Sequence, residues 1–418
     1  MRAIRLILFF GVIVCAFNAC IEPFNPDIGG GDQFLVINGV VTDEEGYQYA
    51  EISLTSSYND REYMPVNDCE VKIIDGSGNE FTMENYSAGK YRTWIEQQYL
   101  QIGNRFKIEV ISNDGKKYES EFDTLLPCPD IDDIYYEYQE IIPDDPDELS
   151  GQGIQLYIDF DATGDFASNY RWEAIETWEY RSEERIHIIY NGIEFSDSEY
   201  KLDIRFLNPE NRNDAKQMDS LYTCWKTANV KDIFTYTSRQ KRDMKVIGLP
   251  LYFVTNKENK LHLKYSILIR QLTLSDVAFG YWNQLQTQSQ ETGGLYETQP
   301  YELEGNMKCI DNENETVIGF FSVSSVKSKR LTTSVHLNRN DYYCADIIEG
   351  WDNLLVYLWG GTPGQLPLPN VELPDTPLYL HPFYTQLNEL RKDTFSLIDQ
   401  SCIDCRLKGG TLTKPDYW

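Results

Sequence analysis

The chain has 418 residues, enough for two or three domains, and 66 acidic residues stand against 37 basic ones for a formal charge of −29. Such a surface repels phosphate backbones and anionic lipid, which argues against nucleic acid as a partner. Aromatic residues make up 13% of the chain, with 29 tyrosines, too much large apolar surface for a disordered polymer.

The N-terminus reads as a secretion signal. Arg2 and Arg5 precede an apolar run from Leu6 to Phe17, followed by Asn18, Ala19 and Cys20. The run is shorter than the roughly 20 apolar residues that span a bilayer. Cys20 resembles a bacterial lipobox cysteine, with residues 1–19 as the cleaved signal peptide. Acyl chains on Cys20 would supply a membrane anchor, each buried methylene adding about 0.8 kcal/mol. Residues 20–32 form the tether, with Pro23, Pro26 and Gly29 to Gly31 keeping it irregular. Glu22 and Asp27 beside the lipid resemble a signal for export to the outer face of the outer membrane.

Residues 33–126 read as a small β-sandwich. Phe34 to Val41 is mostly apolar, while Cys69 to Ile73 and Phe106 to Val110 alternate with period two, the mark of half-buried strands. Turn residues separate them at Asp43 to Gly46, Asp75 to Gly78 and Asn113 to Gly115. The hairpin from Phe106 to Phe122 turns on Asn113-Asp114-Gly115. Asn38 to Asp43, Pro65-Val66 and Gly89 to Tyr91 resemble an immunoglobulin-like or transthyretin-like pattern.

Residues 127–418 read as a larger, mostly-β domain with one or two helices, so the fold class is all-β. Pro143 to Gly153 is an acidic, proline-containing loop. Strands are expected over Gly153 to Phe160, Tyr170 to Tyr180, Ile186 to Tyr190 and Leu261 to Arg270, with His262, Lys264 and Ser266 on a wet face. Ser275 is the expected N-cap of a helix carrying Val277, Ala278, Tyr281, Trp282, Leu285 and Gln288 at spacings of three and four and ending at Gly293-Gly294. A shorter helix is expected from Tyr384 to Arg391.

Besides Cys20, seven cysteines of the mature chain are candidates for disulfides or structural roles: Cys69, Cys128, Cys224, Cys309, Cys344, Cys402 and Cys405. An oxidising compartment would allow up to three disulfides. Cys402 and Cys405 form a lone CxxC, read as a staple or part of one; a zinc site with Cys224, Cys309 or Cys344 is the alternative. Asp159, Asp161, Thr163 and Asp165 fall at every second position with Gly164 among them, a partial match to a calcium loop, against which stands a solvated turn. No other cofactor is expected. The four histidines have no partner at metal-site spacing, and no nucleophile, zinc-protease or phosphate-loop motif occurs.

Patches along the whole mature chain resemble a Bacteroidota family of outer-membrane lipoproteins of unassigned function, encoded beside TonB-dependent receptors. They run from Phe34-Leu35-Val36-Ile37-Asn38-Gly39 through Pro129-Asp130-Ile131-Asp132-Asp133-Ile134-Tyr135-Tyr136, Cys224-Trp225, Lys264-Tyr265-Ser266, Tyr281-Trp282 and Gly293-Gly294-Leu295-Tyr296. They continue with Pro300, Glu304-Gly305-Asn306, Gly319-Phe320-Phe321-Ser322, Cys402-Ile403-Asp404-Cys405-Arg406, Gly409-Gly410-Thr411 and Pro415-Asp416-Tyr417-Trp418. The resemblance implies an Ig-like first domain, a mostly-β second one and a lipid-anchored outer-membrane location. The function expected is non-catalytic: partnering a TonB-dependent barrel in substrate capture or gating from the cell exterior. A structural subunit of an envelope export or assembly complex, and an extracellular hydrolase, are the alternatives.

Overall fold

In the computed structural model, the first strand, Leu35–Thr42, has a partner on each side, and the two come from widely separated parts of the sequence. Gly46–Leu54 pairs with it antiparallel, while Val317–Ile318 and Phe321–Ser324 pair with it in parallel. The structure describes residues 33–56, 62–141, 151–196, 199–239, 245–256, 259–291, 305–338, 344, 346–349, 378–384 and 390–418. The signal segment, Cys20, the tether, most of the Pro143 loop and Gly293-Gly294 lie outside these residues.

The first body is a strongly curved twelve-stranded sheet. Its main path runs Met307–Cys309, Lys117–Ser120, Arg105–Ile111, Glu70–Asp75, Glu80–Ser87, Lys90–Ile95, Gly46–Leu54, Leu35–Thr42, Val317–Ile318. Alternation puts Ile37, Ile52, Ile73, Phe106 and Ile108 into one core, each fully buried aliphatic or aromatic side chain being worth about 1.5–3 kcal/mol. The hairpin turn forms as expected, with Gly115 at φ 85°. The expected boundary at 126 needs correction. Residues 307–324 complete this body by pairing the edges that Leu35–Thr42 and Lys117–Ser120 would otherwise leave open.

Beyond it, a three-stranded sheet, Ile131–Ile141, Gly151–Asp161 and Lys245–Thr255, packs on a five-stranded central sheet. The latter is built of Thr223–Asn229, Phe234–Thr237, Asn169–Arg181, Tyr265–Leu274 and Val326–Thr333. Ile154, Leu156, Phe160, Tyr170, Trp172, Trp178, Tyr265 and Ile267 fill the space between them. Ser266, expected on a wet face, is fully buried and bonds Thr332 Oγ1 at 3.0 Å, because this central strand is covered on both sides. Another five-stranded sheet joins Glu199–Phe206, Ile188–Ser196, Leu378–Tyr384, Leu390–Ile398 and Asp346–Glu349.

Two α-helices occur among the described residues. Helix α1 is Arg212–Met218, capped by the Asn211 side chain. Helix α2 is Asp276–Glu291, with Ser275 as N-cap: its Oγ accepts from Ala278 N at 3.3 Å. Ala278, Tyr281, Trp282 and Leu285 face inward as the spacing predicts, but Val277 is exposed. Of the helix expected over Tyr384 to Arg391, residues 385–389 lie outside the described residues; Tyr384 closes one strand and Leu390 opens the next.

The junction between the first body and the central sheet is tightly bonded. One chain runs through Phe321–Ser324 in the first body to Val326–Thr333 in the central sheet with a single residue between. Asp123 accepts from Val323 N and Thr124 N, both at 2.9 Å, Asp43 accepts from Val326 N at 2.8 Å, and Thr273 Oγ1 donates to Leu126 O at 3.1 Å.

Candidate ligand-binding face

Strands Gly46–Leu54 and Lys90–Ile95 bury one side chain and expose the next. Gln48, Ala50, Tyr91, Thr93 and Ile95 point inward, and Tyr47, Tyr49, Arg92 and Trp94 point out. Register places Tyr47 opposite Trp94 and Tyr49 opposite Arg92. On the next strand, pairing slips between Asn85 and Ser87, leaving Tyr86 as an extra residue turned outward. The resulting face carries Tyr47, Tyr49, Tyr86 and Trp94 at 41%, 46%, 43% and 52% exposure.

These rings support one another. Tyr47 and Trp94 meet edge to face at 5.3 Å, Tyr49 and Tyr86 at 6.0 Å. The Arg92 guanidinium lies 4.3 Å from the Tyr47 ring centre and 4.9 Å from that of Tyr86, and pairs with Glu84 at 2.8 Å. Tyr63 stands beside them, its phenol pushed up to about 12 by burial and by a hydrogen bond with Glu51. Gly89, at φ 68°, lets the chain pass beneath: a Cβ there would sit 2.6 Å from Ile52 O and 2.8 Å from the Tyr63 hydroxyl.

The face leads into a cleft of about 420 Å³ where the first body meets α2 and the central sheet. Tyr49, Tyr86, Lys90 and Glu51 form one wall and Arg171, Glu173, Tyr281 and Trp282 the other. A neighbouring cavity of about 500 Å³ shares Arg171, Glu173 and Trp282 and adds Arg270 and Lys231. Tyr281 stacks on Phe320 at 4.7 Å, fixing α2 to the first body. The Arg171 guanidinium lies 3.9 Å from the Trp282 ring centre. Glu173 bridges Arg171 at 2.5 Å and Arg270 at 3.1 Å, and Arg270 reaches Glu44 at 3.2 Å. Burial lowers the Arg171 pKa from the usual arginine value, partly offset by Glu173. Arg171 Nε and Trp282 Nε1 are buried donors with no protein acceptor.

The residues singled out in the sequence lie elsewhere. Asp159 accepts from Gly248 N at 2.7 Å, and Asp161 accepts from Thr163 N and Thr163 Oγ1 at 2.9 and 2.6 Å. Those bonds hold the Asp161 carboxyl below its usual pKa. Asp165 is exposed beyond the turn. Asp159 thus lies within the strand Gly151–Asp161 and bonds the neighbouring strand, Asp161 caps the turn at Thr163, and the four form no metal-type cluster among the described residues.

Cys405 pairs with Cys224 and Cys402 with Cys344, so the CxxC is split between two disulfides. The zinc alternative fails because these four sulfurs are already bonded. Glu183, Cys344 and Cys402 form the one metal-type cluster among the described residues, and two of its three members are that disulfide. Cys69, Cys128 and Cys309 are free thiols, so two disulfides form where three were allowed. Cys309 packs in the first core with Cys69 against it. Cys128 is buried beside Gln271, and burial pushes its thiol up to about 12. They behave as small apolar residues.

The motif patches around the junction are structural. Asn306 Nδ2 donates to Phe321 O at 2.7 Å and its Oδ1 accepts from Phe321 N at 2.9 Å. Asn38 Oδ1 accepts from Phe320 N at 3.2 Å. Gly319, at φ 110°, sits so close to Ile37 that a Cβ would lie 2.2 Å from its carbonyl oxygen. At the C-terminus, Tyr417 shares a hydrogen bond with Thr177 at 2.8 Å under the Arg330 guanidinium, and Trp418 Nε1 donates to Glu179 at 3.2 Å.

Sequence reading missed the exposed rings. The signal was present as Tyr47-x-Tyr49 and Arg92-x-Trp94, large side chains at the polar positions of alternating strands.

Fold and face together define an all-β protein with an aromatic surface leading into a preformed cleft. The chain belongs to the family described as a domain of unknown function, DUF4249, which matches residues 21–330. No curated protein matches the chain. The family match ends before the disulfide-bearing segment that contains Cys344, Cys402 and Cys405.

Proposed function

We propose that this protein is a non-catalytic lipoprotein of the outer membrane, anchored through Cys20 and facing the cell exterior, that captures a ligand for a TonB-dependent barrel beside it. The observation that carries the reading is the run of exposed rings from Trp94 and Tyr47 through Tyr49 and Tyr86 into the cleft at Trp282. Large rings held in place by neighbours bury much area at small entropic cost, so they are effective anchors for a ligand. The bonded junction supports the same reading, because a cleft between two fixed bodies is ready to bind without reorganisation. The basic start, short apolar run and Cys20 support the anchor.

Purification from native membranes in mild detergent tests the proposal. The expected result is co-elution of a barrel in stoichiometric amount and an acylated Cys20 in the mass of the N-terminal peptide. An unmodified Cys20 on protein released into the medium would overturn the placement. An acylated protein with no barrel at any detergent strength would overturn the partnership.

A further inference from the structure

The path of the twelve-stranded sheet ends in two short strands, Met307–Cys309 and Val317–Ile318. Among the described residues each pairs on one side only, the first with Lys117–Ser120 and the second with Leu35–Thr42. Both line a cavity of about 950 Å³ that Phe34 shares. Its apolar wall is made of Phe34, Met307, Ile310, Val317 and Ile318, and Ile310 is 47% exposed. Of the charged groups there, Lys308 pairs with Glu121 at 2.6 Å, and Glu315 with Lys116 at 2.8 Å and the Tyr118 hydroxyl at 2.6 Å; Glu313 is exposed.

Phe34 is also where the segment 20–32 reaches the first body. Its N–H donates to Thr55 Oγ1 at 3.0 Å and its carbonyl accepts from Thr55 N at 2.9 Å, so the point of attachment is fixed on the cavity wall. The segment carries Ile21, Phe24 and Ile28, large apolar groups that a solvated spacer has no use for. Pro23 and Pro26 bracket Phe24 and lower the entropy lost when the chain is ordered. They lack N–H groups, so side chains and not a strand ladder would make the contact. Gly29 to Gly31 let the chain turn back. Ile28 and Phe24 lie five and nine positions before Gln33, a reach of about 17 Å and about 30 Å. The family match begins at residue 21, so the segment shares one sequence pattern with the domain.

We propose that residues 21–28 fold back onto this cavity, with Phe24 and Ile28 seated against Met307, Ile310, Val317 and Ile318. The segment is then a docked strap and not a free spacer. This goes beyond ligand capture and stands whether or not Cys20 is acylated. It sets how far the first body can stand from Cys20, because only about 14 Å of chain separates that residue from a docked Phe24.

Photo-crosslinking in the full chain tests the proposal, with p-benzoylphenylalanine in place of Phe24. Peptide mapping of the monomer band should find the label joined to residues 305–318 or to Phe34 of the same chain. Links confined to a dimer, to lipid or detergent, or to other residues, or no link at all, would each overturn it. Hydrogen exchange supplies a second readout. The double variant Phe24→Asn, Ile28→Asn should speed amide exchange in residues 307–318 about tenfold or more and leave Gly46–Leu54 unchanged. No change in residues 307–318, or one spread evenly over the chain, would also overturn it.

Discussion

The outward face of Gly46–Leu54 and Lys90–Ile95 carries Tyr47, Tyr49 and Trp94 open to solvent, whereas the outward face of Asn169–Arg181 is covered by the chain's own Tyr417 and Trp418. Both faces pair aromatic rings with cations: Arg92 with Tyr47, Arg330 with Tyr417, Lys264 with Trp418. On the central sheet these contacts are met within the chain and a disulfide holds the tail in place. On the first body the rings are stiffened but left without cover. The difference lies in the bonding: Tyr417, itself 44% exposed, shares a hydrogen bond with Thr177 and Trp418 donates to Glu179, which ties both rings to the central sheet.

The comparison can be broken from the covered side. Alkali should act most strongly. Burial raises the pKa values of Tyr170, Tyr252 and Tyr265, and that of Tyr190 to about 12. Folded values above the unfolded value of about 10 mean stability that is complete below that pH and lost as pH rises through the folded values. Circular dichroism should therefore show unfolding that sets in above about pH 10, together with late tyrosinate absorbance; full ionisation with the fold intact would contradict this.

Removing the Cys224–Cys405 link should come next. It joins residues 181 apart, and the Cys224→Ala, Cys405→Ala double variant should lose roughly 2–5 kcal/mol in urea denaturation. Truncating Tyr417 and Trp418 together should cost roughly 1–2 kcal/mol, through a lost hydrogen bond to Thr177, another to Glu179 and the cation contacts. It should also raise binding of a hydrophobic dye as the central face opens. On the uncovered side, Tyr49→Ala should shift stability by less than about 1 kcal/mol. A larger loss would mean that the ring is part of the fold and not held for a ligand.

Much of this fold was legible where local chemistry decides. Ser275 and the spacing of Ala278, Tyr281 and Trp282 mark α2, and Asn113-Asp114-Gly115 marks its hairpin. The aromatic face was harder to see, since an outward tyrosine on one strand has no meaning until its neighbours across the sheet are known. Arg171 and Trp282, 111 positions apart, gave no sign in the sequence of lining one cleft.

By itself, the order of residues settled what depends on neighbours in the chain: an all-β composition, the turns, the capped helix, and a strongly acidic surface. Tertiary structure alone decided which cysteines meet, that residues 307–324 return to complete the first body, and which rings stay uncovered. Each of those outcomes depends on groups brought together from far apart. Their contact free energies exist only once the sheets have closed, and no local pattern records them.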